Sequence, residues 1–471
     1  MTLRLPPRVR LYNTLARRKE ELQPLQPGQC GIYSCGPTVY RYVHLGNLRT
    51  FMFADLLCRV LEYNGIAVRQ VKNITDVGHL TDDTFERGED KMLVAARLEH
   101  KSSAELADYY TAAFHEDERR LNIRPADVYP RASVHIPQMI ELIERLIRLG
   151  HAYEATGSVY FDIASFPAYG RLSGNTPERL RAGIRGEVDP HKRSPGDFAL
   201  WRAGGPRRAM TWSSPWGEGF PGWHIECSAM SMTHLGDRFD IHTGGVDNIF
   251  PHHEAEIAQS ESAVGHRVVG CWMHAQHLTL SGVRMAKSAG NFVRVTDLES
   301  DGYDPLAFRY LALQARYRRR MTFSPEGVRG ADRALRQLRG RLAEWTDGPG
   351  GDEAGYRERF LAAINDDLDL PNAMAVTAEL ARSDLPAGTK ARLLLDFDRV
   401  FALDLDREVR GRELPPGASS LLAARERARA ARDWQVSDRL REELAALGVA
   451  VIDSPEGQRW KRVSPRRSAW D

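Results

Sequence analysis

Between residues 29 and 75 the apolar positions change period twice. Gly31-Ile32-Tyr33 is a short apolar run ending at Cys35-Gly36-Pro37, which reads as a strand followed by a break. Phe53, Leu56, Leu57 and Val60 then recur at helical spacing, and Asn64-Gly65 supplies a stop. Ile66 to Val71 reads as a second strand. Strand, helix and strand in that order make a right-handed crossover, the unit from which parallel sheets are built. His44-Leu45-Gly46-Asn47 falls between the first strand and the helix. That puts a His-Gly pair at the carboxyl edge of the sheet, where nucleotides bind against helix N-termini.

A different texture begins near residue 120. Pro137 to Leu149 predicts an amphipathic helix with Met139, Leu142, Ile143, Leu146 and Ile147 on one face, and Val159-Tyr160-Phe161 is strand-like. A stretch rich in Gly, Pro and Arg runs to about residue 220. Sheet-like pattern returns at Trp223 to Cys227 and at Phe239-Asp240-Ile241-His242, followed by Gly244-Gly245-Val246-Asp247. An α/β domain interrupted by a long insertion accounts for this order. Two linkers, Gly348-Pro349-Gly350-Gly351 and Leu414-Pro415-Pro416-Gly417, bracket a helical region and set off a last module.

The 471 residues suffice for several domains, and 42% hydrophobic with 27% charged residues excludes global disorder, collagen-like repeats and coiled-coil architecture. The net charge of +2 conceals a strong polarity. Residues 316–341 hold nine arginines against Glu326 and Asp332, a local +7, and residues 420–471 carry +3, which leaves −8 on the other 393. An acidic body with a basic path suits a protein that handles small molecules and one nucleic acid. The five cysteines (30, 35, 58, 227 and 271) are odd in number and sparse, as in a reducing compartment. No signal-peptide pattern and no apolar run of about 20 residues occurs, so a soluble, cytoplasmic protein is expected.

Two sets of residues carry chemistry. Cys35, Cys227, His252 and Glu256 can share one site, since His252 and Glu256 at i and i+4 project from one helix face, and two thiolates, an imidazole and a carboxylate suit Zn2+. His253 and Glu254 compete as ligands, and two buried core cysteines beside a solvated His-Glu pair would give the same spacing. His44 and Asn47 can donate to a phosphoryl group, with Gly46 allowing close approach; Arg284-Met285-Ala286-Lys287-Ser288 forms a second, Gly-flanked basic segment able to close on a triphosphate. Taken alone, these are equally a helix cap and a basic surface loop.

In this order the motifs resemble a known family. His44 to Asn47 resembles the first signature, and Arg284 to Ser288 the second, of class I aminoacyl-tRNA synthetases. Cys35-Gly36-Pro37-Thr38-Val39-Tyr40, Gly222-Trp223-His224-Ile225-Glu226-Cys227-Ser228-Ala229-Met230 and Phe250-Pro251-His252-His253-Glu254-Ala255-Glu256 narrow the resemblance to cysteinyl-tRNA synthetases, over essentially the whole chain. Two positions depart from the signatures. Asn47 stands for the second His, and in the second signature Arg284 and Ala286 replace Lys and Ser.

The resemblance implies an α/β fold: a class I Rossmann-like parallel-sheet catalytic domain (1–120 and 222–300) interrupted by an insertion (121–221). A basic stem-contact segment (301–346), a helical bundle (354–410) and a small C-terminal anticodon-binding module (420–471) come after it. It implies ATP-dependent activation of L-cysteine to an adenylate, with Mg2+ accompanying the ATP, and transfer to tRNA(Cys). His44, Asn47, Lys287 and Ser288 are then catalytic, Gly46, Gly245, Asp247 and Lys287 hold ATP, and Gly36, Thr75, Trp223 and His242 meet the substrate. One Zn2+ per chain on Cys35, Cys227, His252 and Glu256 selects the thiol. Arg318, Arg319, Arg329, Arg333, Arg429, Trp434, Asp438 and Asp453 contact tRNA. Nothing in the chain demands a dimer, so a monomer is expected. Two rivals share part of this pattern: a ligase that passes activated cysteine to an amino-sugar, and a zinc-stabilised RNA-binding protein without catalysis.

Overall fold

The computed structural model describes residues 8–78, 80–82, 87–176, 189–205, 210–280, 283–284, 292–345, 350–410, 414–454 and 457–462. Two compact units divide the chain: Met1–Asp332 with Gly355–Ala378 and Arg399–Leu403, and Arg333–Ala354 with Glu379–Asp398 and Asp404–Asp471. The helical region and the basic segment are thus each shared between units. Among the described residues no helix is long and apolar enough to cross a membrane.

The first unit is built on a four-stranded sheet in the spatial order Val269–Ala275, Phe239–Gly245, Gln29–Ser34, Ala67–Lys72. All three neighbouring pairs are parallel, with Tyr33 opposite both His242 and Val71. The expected strand, helix and strand are present, the helix running Leu45–Tyr63. It starts where it does because His44 is extended (φ −120°, ψ 168°) and forms a capping box with Asn47. The Asn47 N–H donates to His44 Nδ1, and the His44 N–H donates to Asn47 Oδ1, both at 3.2 Å.

Two buried arginines fasten this helix. Among the described residues Arg49 has no carboxylate partner; it donates to the carbonyls of Gln276 (2.6 Å), His277 (2.8 Å) and Arg319 (2.7 Å), tying the first turns of the helix to the end of the last strand and to the basic turn. Burial lowers its pKa to about 10, which leaves it charged at neutral pH. One turn and a half further on, Asp55 accepts from Arg309 at 2.6 Å and from Arg59 at 2.9 Å. Arg309, fully buried, also donates to Leu121 O (2.9 Å) and Phe401 O (2.6 Å). Burial pushes the Asp55 carboxyl up, but the two arginines outweigh it and the net shift is downward.

The insertion consists of a helix, Ile136–Arg148, and an antiparallel sheet in the order Gly219–Pro221, Phe198–Ala203, Ser158–Phe161, Ala152–Ala155. Met139, Leu142, Ile143 and Leu146 of that helix share one core with Phe161, Phe198 and Trp201, and with Tyr33, Val71 and Trp272 of the parallel sheet. One expectation fails. Trp223 to Cys227 is not sheet-like but opens a 13-residue helix, Trp223–Leu235. The segment is buried all round, so its apolar run lacks a 3.6-residue stripe; length, and Gly236 at φ +86° as the stop, are what distinguish it from a strand.

In the second unit, helices Ala418–Ala430 and Trp434–Ala446 pack with the hairpin Val449–Ser454 and Gly457–Arg462. The core is small: Ala418, Leu422, Leu444 and Val449, flanked by Leu414, Val451 and Trp460. Arg425, fully buried, holds it to the hairpin through Asp453 (2.9 and 3.0 Å) and Gln458 (2.9 Å).

Asp55→Ala would leave the Arg309 guanidinium buried without its anion, at a cost of about 3–5 kcal/mol in urea unfolding at pH 7. Because the folded carboxyl lies below its ordinary value, its contribution is present above about pH 4 and is lost as the pH falls through the folded pKa. The stability curves of variant and wild type therefore converge on acidification.

Candidate active site

In the parallel sheet the crossover from Gln29–Ser34 leaves toward Ala67–Lys72, and the one from Phe239–Gly245 leaves toward Val269–Ala275. Ligands bind at the carboxyl ends of strands where the order reverses in this way. Cys35 sits there, directly after its strand, its N–H donating to Thr243 O at 3.1 Å. Helix Trp223–Leu235 presents Cys227, and the segment Ile249–His253, running into helix Glu254–Val264, presents His252, His253 and Glu256.

Two four-residue groups bring their ligand atoms within 4.8 Å of one another: Cys35, Cys227, His252 and Glu256, and Cys35, His242, His253 and Glu256. Atoms held about 2.0–2.3 Å from one ion fit that spread. The contacts separate the groups. His252 Nε2 lies 3.0 Å from Glu256 Oε1, yet that oxygen accepts no hydrogen bond, as for two ligands facing a common point. His242 Nε2 is spent on Glu256 Oε2 at 2.9 Å. Both nitrogens of His253 are engaged, Nε2 with Cys35 Sγ at 3.2 Å and Nδ1 with His274 Nε2 at 2.8 Å.

The electrostatics favour a cation. The hydrogen bond with Cys35, and then burial, push the Cys227 thiol well above its ordinary value. Cys227 draws the Cys35 thiol down, but burial and Glu256 raise it further, for a net upward shift. Burial raises Glu256 against the opposing pull of His242, and burial drives His253 well below the ordinary histidine value and His274 to about 3. Cys35, Cys227, Glu256, His253 and His274 are thus all pushed toward their neutral forms. A divalent cation would supply the charge that two thiolates and a carboxylate need.

Comparison with known proteins identifies the family. Residues 21–333 match the model of the class I (C) tRNA synthetase catalytic domain, and residues 411–460 that of the cysteinyl-tRNA ligase anticodon binding domain. A cysteine–tRNA ligase of Thermus thermophilus is 46% identical, covering 96% of this chain and 98% of the relative. The chain belongs to the cysteine–tRNA ligase family. Another relative, cysteine–tRNA ligase 1 of Burkholderia lata, is 47% identical over 95% of this chain and 96% of its own. In fold, the chain is similar to Mycobacterium tuberculosis methionyl-tRNA synthetase bound by methionyl-adenylate, at a TM-score of 0.55 and 16% identity over 83% of this chain and 93% of that one.

In this member of the family the first-signature pair, His44 and Asn47, meets as a helix cap after strand Gln29–Ser34, while Gly245 ends strand Phe239–Gly245 and Asp247 lies in the turn Val246–Asn248 that follows it. Gly245 N–H donates to Asn248 Oδ1 at 3.0 Å, and Asp247 lies 3.3 Å from His277 Nε2. Lys287 and Ser288 lie outside the described residues; strands Leu278–Leu280 and Val283–Arg284 lead toward them. Trp223 stacks on His252 with ring centres 4.3 Å apart.

Of the expected substrate contacts, Thr75 and His242 are buried and Gly36 is half-buried. The Gly36 N–H donates to Asn73 Oδ1 at 2.8 Å, and a Cβ on Gly36 would fall 1.7 Å from Asn73 O. Thr75 donates to Glu226 at 3.2 Å and accepts from Asn73 at 3.1 Å. His242 is wholly buried behind Glu256. Sequence reasoning missed the supports Thr14, His274, Asn73 and Glu226. Glu226 carried a usable signal, a carboxylate between Ile225 and Cys227 in an otherwise apolar run; Thr14 carried none.

Among the basic residues, Arg318 is paired with Asp367 at 2.8 Å, while Arg319, Arg329 and Arg333 are exposed. Trp434 is 55% exposed with the Arg429 guanidinium 5.7 Å from its ring, and Asp438 is exposed. Asp453 is committed to Arg425, Arg429 and Arg441.

Gly36→Ala must push Asn73 away from the Cys35 loop. Overpacking of this kind costs about 1–3 kcal/mol; urea unfolding together with bound-metal analysis should show lower stability and a lowered metal content.

Proposed function

We propose that the chain activates L-cysteine with ATP and transfers it to tRNA(Cys), and that Cys35, Cys227, His252 and Glu256 hold one Zn2+ that selects the substrate. The observation that carries this reading is the convergence of those four ligand atoms at the reversal point of the parallel sheet, in a chain of this family. When bound, Zn2+ supplies a soft Lewis acid that takes the substrate sulfur as thiolate and disfavours serine's hydroxyl. An apolar pocket alone separates near-isosteres by only about 10- to 200-fold.

The rest is positioning by this chain's residues. A cysteine carboxylate oxygen attacks the α-phosphorus of ATP and the bond to pyrophosphate breaks; a ribose hydroxyl of the tRNA end then attacks the acyl carbon and AMP leaves. With Nδ1 accepting from Asn47, a neutral His44 carries its proton on Nε2, where it donates to the α-phosphate. Gly46 gives the phosphates close approach to the backbone. Gly245 and Asp247 take the adenosine, Asp247 accepting from ribose hydroxyls, and Lys287 and Ser288 hold the departing phosphates with Mg2+. Trp223 walls the cysteine pocket, and Gly36, Thr75 and His242 hold its floor. Asn47 keeps the cap and a donor amide where the signature has its second His. On the RNA side, Arg318, Arg319, Arg329 and Arg333 meet phosphates, Trp434 and Arg429 stack and anchor an unpaired base, Asp438 bonds to a base edge, and Asp453 orders the arginines around it.

Cysteine-dependent ATP–pyrophosphate exchange, followed by charging of tRNA(Cys), tests the reaction. Exchange without charging overturns the ligase reading in favour of an amino-sugar acceptor, and absence of both overturns catalysis. Cys227→Ser should lose zinc and discrimination against serine together; a zinc-free wild type that still rejects serine contradicts the metal's role. Replacing Arg319, Arg329 and Arg333 by Gln should weaken tRNA binding and reduce the slope of log affinity against log salt by about 2–3. Unchanged slope removes these arginines from the RNA path.

A further inference from the structure

Side chains from three segments line up on Cys35. Thr14 Oγ1 lies 2.8 Å from His274 Nδ1, His274 Nε2 lies 2.8 Å from His253 Nδ1, and His253 Nε2 lies 3.2 Å from Cys35 Sγ. Thr14 occupies the turn between strands Arg10–Asn13 and Arg18–Glu21, outside the parallel sheet. Its N–H donates to Trp272 O at 2.8 Å, so the turn is pinned beside the strand that carries His274.

An imidazole with one proton has one donor nitrogen and one acceptor, so two such rings in series have only two polarities. In the first, Thr14 donates to His274 Nδ1, His274 Nε2–H donates to His253 Nδ1, and His253 Nε2–H points at the Cys35 sulfur. In the second, every direction reverses and a nitrogen lone pair faces that sulfur. A ligating thiolate has lone pairs and no proton, so only the first polarity is attractive. Both rings are buried, and the hydroxyl is the partner at the far end.

We propose that Thr14 is a positioning residue for the metal centre: the Cys35 thiolate demands the polarity in which it receives an N–H hydrogen bond, and the Thr14 hydroxyl supplies the donor that His274 Nδ1 then needs, which Val or Ala cannot. The inference rests on the zinc reading above and extends it to the hairpin that precedes the sheet. A donor to a ligating sulfur disperses its charge and holds its orientation, and partners of this kind are worth about 10–100-fold in metal affinity.

The test uses full-length wild type, Thr14→Val and Thr14→Ser, each loaded with one Zn2+ and mixed with excess chromogenic chelator. Thr14→Val should release zinc about 10–100-fold faster than wild type, and Thr14→Ser, which keeps the hydroxyl, at the wild-type rate. If Thr14→Val fails to fold, judged by near-ultraviolet circular dichroism, Thr14→Ala replaces it. Cobalt-loaded protein adds a signature that a loosened hairpin alone does not produce, a shifted thiolate-to-cobalt absorption band in the variants without the hydroxyl. Equal release rates and unshifted bands overturn the chain and leave the metal centre standing. A wild type that takes up no zinc overturns the centre, and the chain with it.

Discussion

Strands Gln29–Ser34 and Phe239–Gly245 lie side by side, but their crossovers leave in opposite directions, and the crevice at their carboxyl ends constrains the rest of the first unit. Nothing in the sheet itself closes that gap. Three segments fill it: the Cys35 loop after one strand, the Gly244-Gly245 turn and His252 segment after the other, and the Trp223 helix arriving from the insertion. The insertion shares the core of the sheet, so the helix carrying Cys227 is anchored on both sides.

A dry crevice lined with polar groups is costly unless each is matched. The contacts answer this in layers, three ligands of the centre meeting a further side chain: Glu256 meets His242, Cys35 meets His253, and His252 meets His224. Histidine suits this work because one ring both gives and takes a proton bond while staying uncharged. Burial, which depresses its basicity, is what keeps it so.

Much of this is legible in the residues. The switch from a three-residue apolar run to 3.6-residue spacing around Phe53 to Val60 marks the first crossover, because that helix lies between segments whose ends are flagged by Cys-Gly-Pro and Asn-Gly. The four proposed ligands are legible only in part: i and i+4 spacing pairs His252 with Glu256, but the family motifs are what set them apart from His253 and Glu254 and join them to Cys35 and Cys227. The start of helix Trp223–Leu235 reads as a strand because complete burial erases the polar face on which periodicity depends. Gly36, Thr75 and His242 read as substrate contacts, and their hydrogen bonds to Asn73, Glu226 and Glu256 leave no trace in spacing. Thr14 is invisible for a plainer reason: its partner lies 260 residues away.

Arg49 binds carbonyl dipoles instead of a carboxylate, and it does so away from solvent. Mobile ions screen exposed charges within about 10 Å at 0.1 M salt but do not enter such a site. In the proposed reading the exposed arginines hold RNA through contacts that dissolved ions compete for, whereas the frame around His44 is held by a charge that dissolved ions do not reach. On that reading, rising ionic strength would detach the macromolecular substrate well before it disturbed the alignment for the small ones, and the two half-reactions would tolerate different surroundings.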